Sequence, residues 1–143
     1  MLARSEVVSS AADPFAVLCA IAGERLPFFL DSGMDHGRLG RFSFLGCEPI
    51  LVAHSHGQRV WIDGLPAGKN PFNVLRRVLE MHRLPLAPSP VPFLGGAVGY
   101  LAYDLGRFIE RLPDTTARDI PLPEMHFAVY DAVAAFDHQA GAW

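Results

Sequence analysis

Met125-His126-Phe127-Ala128-Val129-Tyr130-Asp131-Ala132-Val133-Ala134-Ala135-Phe136-Asp137 is the stretch from which the architecture can be read. Along an extended backbone Met125, Phe127, Val129 and Val133 fall on one side, and Ala128, Tyr130, Ala134 and Phe136 on the other. An extended segment apolar on both faces predicts a strand buried on two sides, which needs covering layers. Asp137-His138-Gln139-Ala140-Gly141 then predicts a turn, and a turn after a long strand normally feeds a return strand. Only Ala142 and Trp143 follow, so the expectation is that further polypeptide, on this chain or another, completes the sheet. An open sheet edge also invites self-association.

Working upstream, the partners of that strand can be found. Asp13-Pro14 opens a short helix, with Phe15, Leu18 and Ile21 at helical spacing and Gly23 as its stop. Leu26–Leu30 and Arg41–Leu45 predict two strands flanking a loop with Gly33, Gly37 and Gly40, and Phe42 and Phe44 share one face of the second. Ile50–His54 and Arg59–Asp63 predict a hairpin across Ser55-His56-Gly57-Gln58, and Asp63-Gly64 supplies the next turn. Asn70-Pro71 repeats the cap-then-proline signal before a stripe of Phe72, Leu75, Leu79 and His82 with Val78 beside it, a second helix that ends before Pro85. Leu84–Pro92, with four prolines in nine residues, predicts an extended connector that splits the chain in two. Phe93–Tyr100 predicts a buried strand whose glycines admit another backbone, and Tyr103–Glu110 a short helix. The fold class that follows is α/β of the α+β type, a mainly antiparallel sheet with two or three flanking helices in a single domain over 1–143.

Composition narrows the function. With 143 residues, 50% hydrophobic and 19% charged, the chain has the makings of a globular core rather than of a disordered segment. A net charge of −3 and the lack of any basic cluster argue against a nucleic-acid partner. Cys19 and Cys47 form neither a C-x-x-C nor a dense disulfide framework, which suits a reducing cytoplasm. Pro14–Ala22 and Phe93–Tyr103, the longest apolar runs, fall far short of the roughly 20 residues that span a bilayer, and no signal peptide is evident.

Several groups of residues suggest chemistry without specifying it. His54-x-His56 on a strand is a possible metal pair, with Cys47 or His36 as a third ligand, but surface histidines around a turn explain it better. Gly95-Gly96-x-x-Gly99 is neither a dinucleotide fingerprint nor a Walker sequence, and reads as tight strand packing. Asp104, Arg107 and Glu110 stand at helical spacing and read as a charge network. Asp131 and Asp137 on one strand face could form a catalytic carboxylate pair, although solvation or pairing with Arg is favoured. Asp31-Ser32 closes one strand and Arg41 opens the next, so an acid, a hydroxyl and a guanidinium converge beside Phe42. That set suits a zwitterion: Asp31 or Ser32 for an ammonium, Arg41 for a carboxylate, Phe42 as an apolar wall. A loop merely tied down by an Asp–Arg pair and a serine turn bond fits the spacing equally well.

Read in order, Leu30-Asp31-Ser32, Gly40-Arg41-Phe42-Ser43-Phe44-Leu45-Gly46, Gly95-Gly96-Ala97-Val98-Gly99-Tyr100, Tyr103-Asp104-Leu105-Gly106-Arg107, Asp119-Ile120-x-Leu122-Pro123 and Phe136-Asp137-His138 resemble the N-terminal domain of component I of aminodeoxychorismate synthase. The anthranilate synthase component I branch is similar but less close. The resemblance implies part of an enzyme that, with Mg2+ and ammonia from a glutamine amidotransferase partner, converts chorismate to 4-amino-4-deoxychorismate, the precursor of p-aminobenzoate and folate. It implies an α/β fold of large antiparallel sheets with helices outside. The chorismate site, the Mg2+ site and the catalytic acids and bases of that family lie in a C-terminal domain for which this sequence has no counterpart, so no cofactor and no catalytic residue are expected within 1–143, and the chain is expected to be non-catalytic alone. The family's tryptophan site carries over by motif position to Asp31, Ser32, Arg41 and Phe42. Asp31 stands where the anthranilate branch has glutamate, and Leu39 where some members have an aromatic residue. The alternatives are the regulatory domain of an anthranilate synthase component I and a stand-alone module that binds an amino acid or docks on a partner.

Overall fold

A computed structural model describes residues 4–32, 40–85, 88–113 and 121–143. The loop positions Gly33, Gly37, His36 and Leu39 and the Asp119-Ile120 pair, all invoked above, lie outside the described residues. By internal contacts the chain forms two compact units: Met1–Ile50, Arg83–Gly96 and Tyr130–Trp143 in the first, Leu51–His82 and Ala97–Val129 in the second. The proline-rich connector is therefore not a boundary between two halves, because it belongs to the first unit together with both ends of the chain.

In the first unit α1, Pro14–Ile21, begins where Asp13 accepts the free N–H groups of Phe15 and Ala16 and proline takes the first helical position. Strands β1 (Phe28–Leu30) and β2 (Phe42–Gly46) pair antiparallel, with Phe29 opposite Leu45 and Leu30 opposite Phe44. Phe42 and Phe44 share a face as expected, their rings 6.1 Å apart, but the fully buried face of β2 is the other one, carrying Ser43 and Leu45. Gly46 packs under the Phe28 ring, which itself meets Tyr130 edge-on at 4.6 Å. The Tyr130 hydroxyl donates to Leu26 O at 2.7 Å, tying down a residue held at φ 48°.

The second unit is built on local hairpins. Strands β3 (Leu51–His56), β4 (Arg59–Ile62) and β5 (Leu65–Gly68) follow one another in an antiparallel meander. The hairpin loop is tighter than the four residues predicted, because β3 runs on through His56 and only Gly57, at φ 54°, and Gln58 make the turn. β5 was not foreseen: Pro66 and two glycine-flanked ends hide its strand character, and Asp63-Gly64 in left-handed conformations starts it. Helix α2, Pro71–Met81, is capped by Asn70, whose side chain accepts from Asn73 N–H at 3.0 Å. Its buried side carries Val74 and Val78, which pack with Leu51, Ala53, Val60, Leu105, Met125 and Val129 in one apolar cluster.

The long strand read from Met125 to Asp137 is two strands. β6 (Gly96–Leu101) and β7 (Met125–Tyr130) complete a five-stranded sheet in the order β5-β4-β3-β7-β6, while β8 (Ala134–Asp137) joins a three-stranded sheet in the order β1-β2-β8. The break at Asp131–Val133 lets one apolar run serve two sheets, which is why both of its faces are apolar. Asp131 consequently lies outside both strands and shares no strand face with Asp137. β7 is paired on both sides; β6, expected to be buried, is an end strand whose last residues, Gly99 to Leu101, are exposed. The expected return strand is reduced to a single bridge between Asp137 and Ala142. The predicted short helix is one 3-10 segment, Tyr103–Phe108. Fold class is as the sequence implies: antiparallel sheets with few helices.

Candidate functional site

The β1–β2 register sets Asp31 and Ser32 of the proposed constellation against β2. One residue beyond the Leu30–Phe44 pair, Asp31 and Ser32 leave β1 alongside Ser43 and Phe42. The Ser32 hydroxyl donates to Phe42 O at 2.5 Å, Ser32 N–H donates to Ser43 Oγ at 3.2 Å, and the Ser43 hydroxyl donates to Asp31 Oδ1 at 2.8 Å. On the other side of β2, β8 sets Phe136 opposite Ser43 and Asp137 opposite Phe42. That register brings His138 Nε2 to 2.7 Å from the same Ser43 oxygen. Ser43, wholly buried, is the hub between the two strand ends.

Asp31, Ser32 and His138 line an open cavity of about 230 Å³ with Asp13, Pro14, Phe15 and Phe29. Arg41 and Phe42 are not among the described residues that line it. The Arg41 guanidinium instead lies 4.8 Å over the Phe42 ring and grips Asp137, Nε at 3.1 and 3.0 Å from the two carboxylate oxygens and Nη2 at 2.5 Å from Oδ2. This hydrogen bonding holds the Asp137 carboxyl at about 2, with Ala140 and Gln139 N–H groups adding to it. It also raises the Arg41 pKa. The acid that ties Arg41 down is thus Asp137, from the far end of the chain. Sequence spacing identified Asp31 and Ser32 but missed Asp13, Phe15, Phe29, Ser43 and His138. Ser43 and His138 were present in the quoted motifs and Asp13 and Phe15 in the predicted first helix, but nothing local marked them as neighbours of Asp31, because the pairing of β8 with β2 brings the distant ones together.

The remaining candidates resolve into structure. His54 stacks on Trp61 at 5.3 Å and opposes His126 across β3 and β7; burial, with His56 and His126 nearby, pushes its pKa down. Among the described residues no group of three His, Cys, Asp or Glu could hold a metal ion. Gly99 and Gly95 make close backbone approaches, to His126 O and Tyr130 O respectively. Arg107 pairs with Asp104 and donates to Leu112 O and Pro113 O, which closes the segment after the 3-10 helix. No helix among the described residues is long and apolar enough to cross a membrane.

No protein-family model matches the chain. It is 33% identical over 147 residues to anthranilate synthase component 1 of Mycobacterium tuberculosis, a match covering 95% of this chain and 28% of that protein. It is 40% identical over 117 residues to aminodeoxychorismate synthase component 1 of Salmonella typhimurium, covering 77% of this chain and 25% of that protein. Among solved structures, anthranilate synthase component I from Streptococcus pneumoniae superposes with a TM-score of 0.63 at 23% identity, over 99% of this chain and 30% of that one. The chain thus spans between a quarter and a third of the length of the proteins it matches. By sequence along nearly its whole length, and by fold, the chain belongs to the component I proteins of anthranilate synthase and aminodeoxychorismate synthase.

Proposed function

We propose that this chain is the scaffold and amino-acid-site part of a cytoplasmic aminodeoxychorismate synthase component I, and that it does not turn over chorismate by itself. In this reading the amino acid is tryptophan, held at Asp31 and Ser32, with Arg41 and Phe42 beside the site rather than in its lining. A chorismate-binding half supplied by further polypeptide carries the catalytic acids and bases, and a glutamine amidotransferase provides the ammonia that converts chorismate to 4-amino-4-deoxychorismate for p-aminobenzoate and folate. Mg2+ seeks several oxygen ligands in an octahedral array. In this reading Mg2+ too belongs to that other half.

The observation that carries the reading is the convergence of Asp31 and Ser32 on an aromatic-walled cavity at the end of the β1–β2 pair. The 40% identity to a Salmonella aminodeoxychorismate synthase component supports that branch. The longer match to mycobacterial anthranilate synthase components supports the second reading, the tryptophan-regulated part of that enzyme. The purified chain, given chorismate, ammonia and Mg2+, is expected to form no aminodeoxychorismate, and turnover by the pure chain overturns the reading. Mixed with the separately produced remainder of either component I, it should restore product with the aminodeoxychorismate remainder; anthranilate formation with the other remainder alone selects the second reading. A chain that restores neither but binds tryptophan is a stand-alone module.

A further inference from the structure

Across the sheet of the second unit the strand registers draw a row of rings. His54 on β3 stands opposite Trp61 on β4 and opposite His126 on β7, and Tyr100 of β6 continues the row. His54 stacks on Trp61 at 5.3 Å and 13°, and His126 on Tyr100 at 6.0 Å and 13°. Alternation along the strands sends Ala53, Val60 and Met125 the other way, into the cluster with Val74 and Val78 of α2, so the row belongs to the face opposite that helix. Three interstrand steps make it about 14 Å long. It reaches solvent: Trp61, His54 and His126 are half-buried and Tyr100 is 39% exposed. Charge stands beside the row, where His56 lies opposite Arg59 with its Nδ1 3.9 Å from Glu124 Oε2. The four rings themselves are uncharged as long as the two imidazoles are neutral. A strip rich in aromatic rings and poor in charge has the composition of an interface core. Burial disfavours an imidazolium and pushes the His54 pKa down, with His56 and His126 adding to the effect.

We infer that this row is the docking seam for the remainder of component I, and that the contact closes only while His54 and His126 are unprotonated. The inference rests on the reading of the chain as one part of a component I protein, and it names the surface and the condition for assembly. Length argues for that occupant: the matches to the Mycobacterium tuberculosis and Salmonella proteins cover 28% and 25% of them, so about three quarters of each lies outside the match. An imidazole of ordinary pKa, about 6.5, that must shed its proton to dock loses about tenfold in affinity at pH 5.5.

The test is calorimetric titration of the 143-residue chain with the separately produced remainder of the Salmonella protein at pH 7.5 and pH 5.5, with circular dichroism to verify that both are folded. Affinity should fall about tenfold or more at the lower pH. His54→Gln combined with His126→Gln should narrow that ratio; an unchanged ratio, or equal parent affinity at the two pH values, overturns the proton condition. Tyr100→Lys places a fixed charge in the row and should weaken docking about tenfold or more at pH 7.5, whereas Leu79→Lys, at an exposed position of α2, should leave it unchanged. Docking indifferent to Tyr100→Lys overturns the inference and leaves the proposed function standing, because the remainder then binds elsewhere. No docking by the parent at either pH overturns both. A dimer of the chain alone that Tyr100→Lys dissolves assigns the row to a second copy and overturns the inference. Should Tyr100→Lys fail to fold, carbethoxylation of the parent read by mass spectrometry decides: the remainder should protect His54 and His126 but not His82 at the end of α2, and equal modification with and without it overturns the inference.

Discussion

Gly99 meets the main chain of β7 so closely that a Cβ built on it would lie 1.9 Å from the carbonyl oxygen of His126. The obstacle is backbone within a paired strand, so no rotamer change can relieve it. Gly99→Ala should therefore force β6 off the sheet edge and lower unfolding free energy by about 3 kcal/mol, the upper part of the usual overpacking range. Gly23, with nothing within 4 Å of a built Cβ, is the control, and Gly23→Ala should stay within about 0.5 kcal/mol of the parent. Urea midpoints of the two variants check both.

The Arg41–Asp137 pair gives stability a signature at low pH. The folded Asp137 carboxyl sits at about 2, below its ordinary 3.8, so its contribution is present above the higher value and is lost as pH falls through the lower one. Asp137→Asn should melt at a modestly lower temperature at neutral pH, since Arg41 is largely solvent-facing and salt screens the pair. That difference should shrink between pH 3.8 and about 2. A gap that stays constant to pH 2 counts against the assignment.

His54 acts with the same sign at higher pH and from a different cause. Burial, then His56 and His126, push its pKa below the ordinary 6.5, so folding resists its protonation and stability falls as pH drops through that value. Equilibrium unfolding at pH 7 and pH 5 should show the parent losing stability over this interval. His54→Gln, which cannot titrate, should lose less of it.

Tyr130→Phe removes the hydrogen bond to Leu26 O and should destabilise by about 1 kcal/mol. Burial raises the Tyr130 pKa above the ordinary 10. Its loss should delete a component of the alkaline tyrosinate absorbance that titrates above pH 10, and a lost component that titrates at or below pH 10 would show that the hydroxyl is not buried as described.

What the sequence revealed was local. Asp13-Pro14 and Asn70-Pro71 announced α1 and α2 because caps and first-turn prolines act over three or four residues, and the Gly99 approach was legible because no other side chain tolerates it. What stayed hidden was register between distant segments. The run from Met125 to Asp137 shows apolar residues on both faces whether it is one strand covered on two sides or two strands in different sheets. In the same way Asp31 and Ser32 could be nominated from spacing, while Ser43 and His138 could not, since their meeting depends on β8 choosing β2.

That choice has a consequence for how the chain comes together in time. The hairpins β3–β4 and β4–β5 close over a few residues and can form as soon as they leave the ribosome. The second edge of β2 must wait for β8, so the first sheet, the Arg41–Asp137 clamp and the Ser43 hub are all completed only once β8 has been synthesised. Until then β2 carries an open edge with Phe42 and Phe44 on its surface, and the period of greatest exposure to misassociation is set by the rate of translation rather than by the stability of the finished fold.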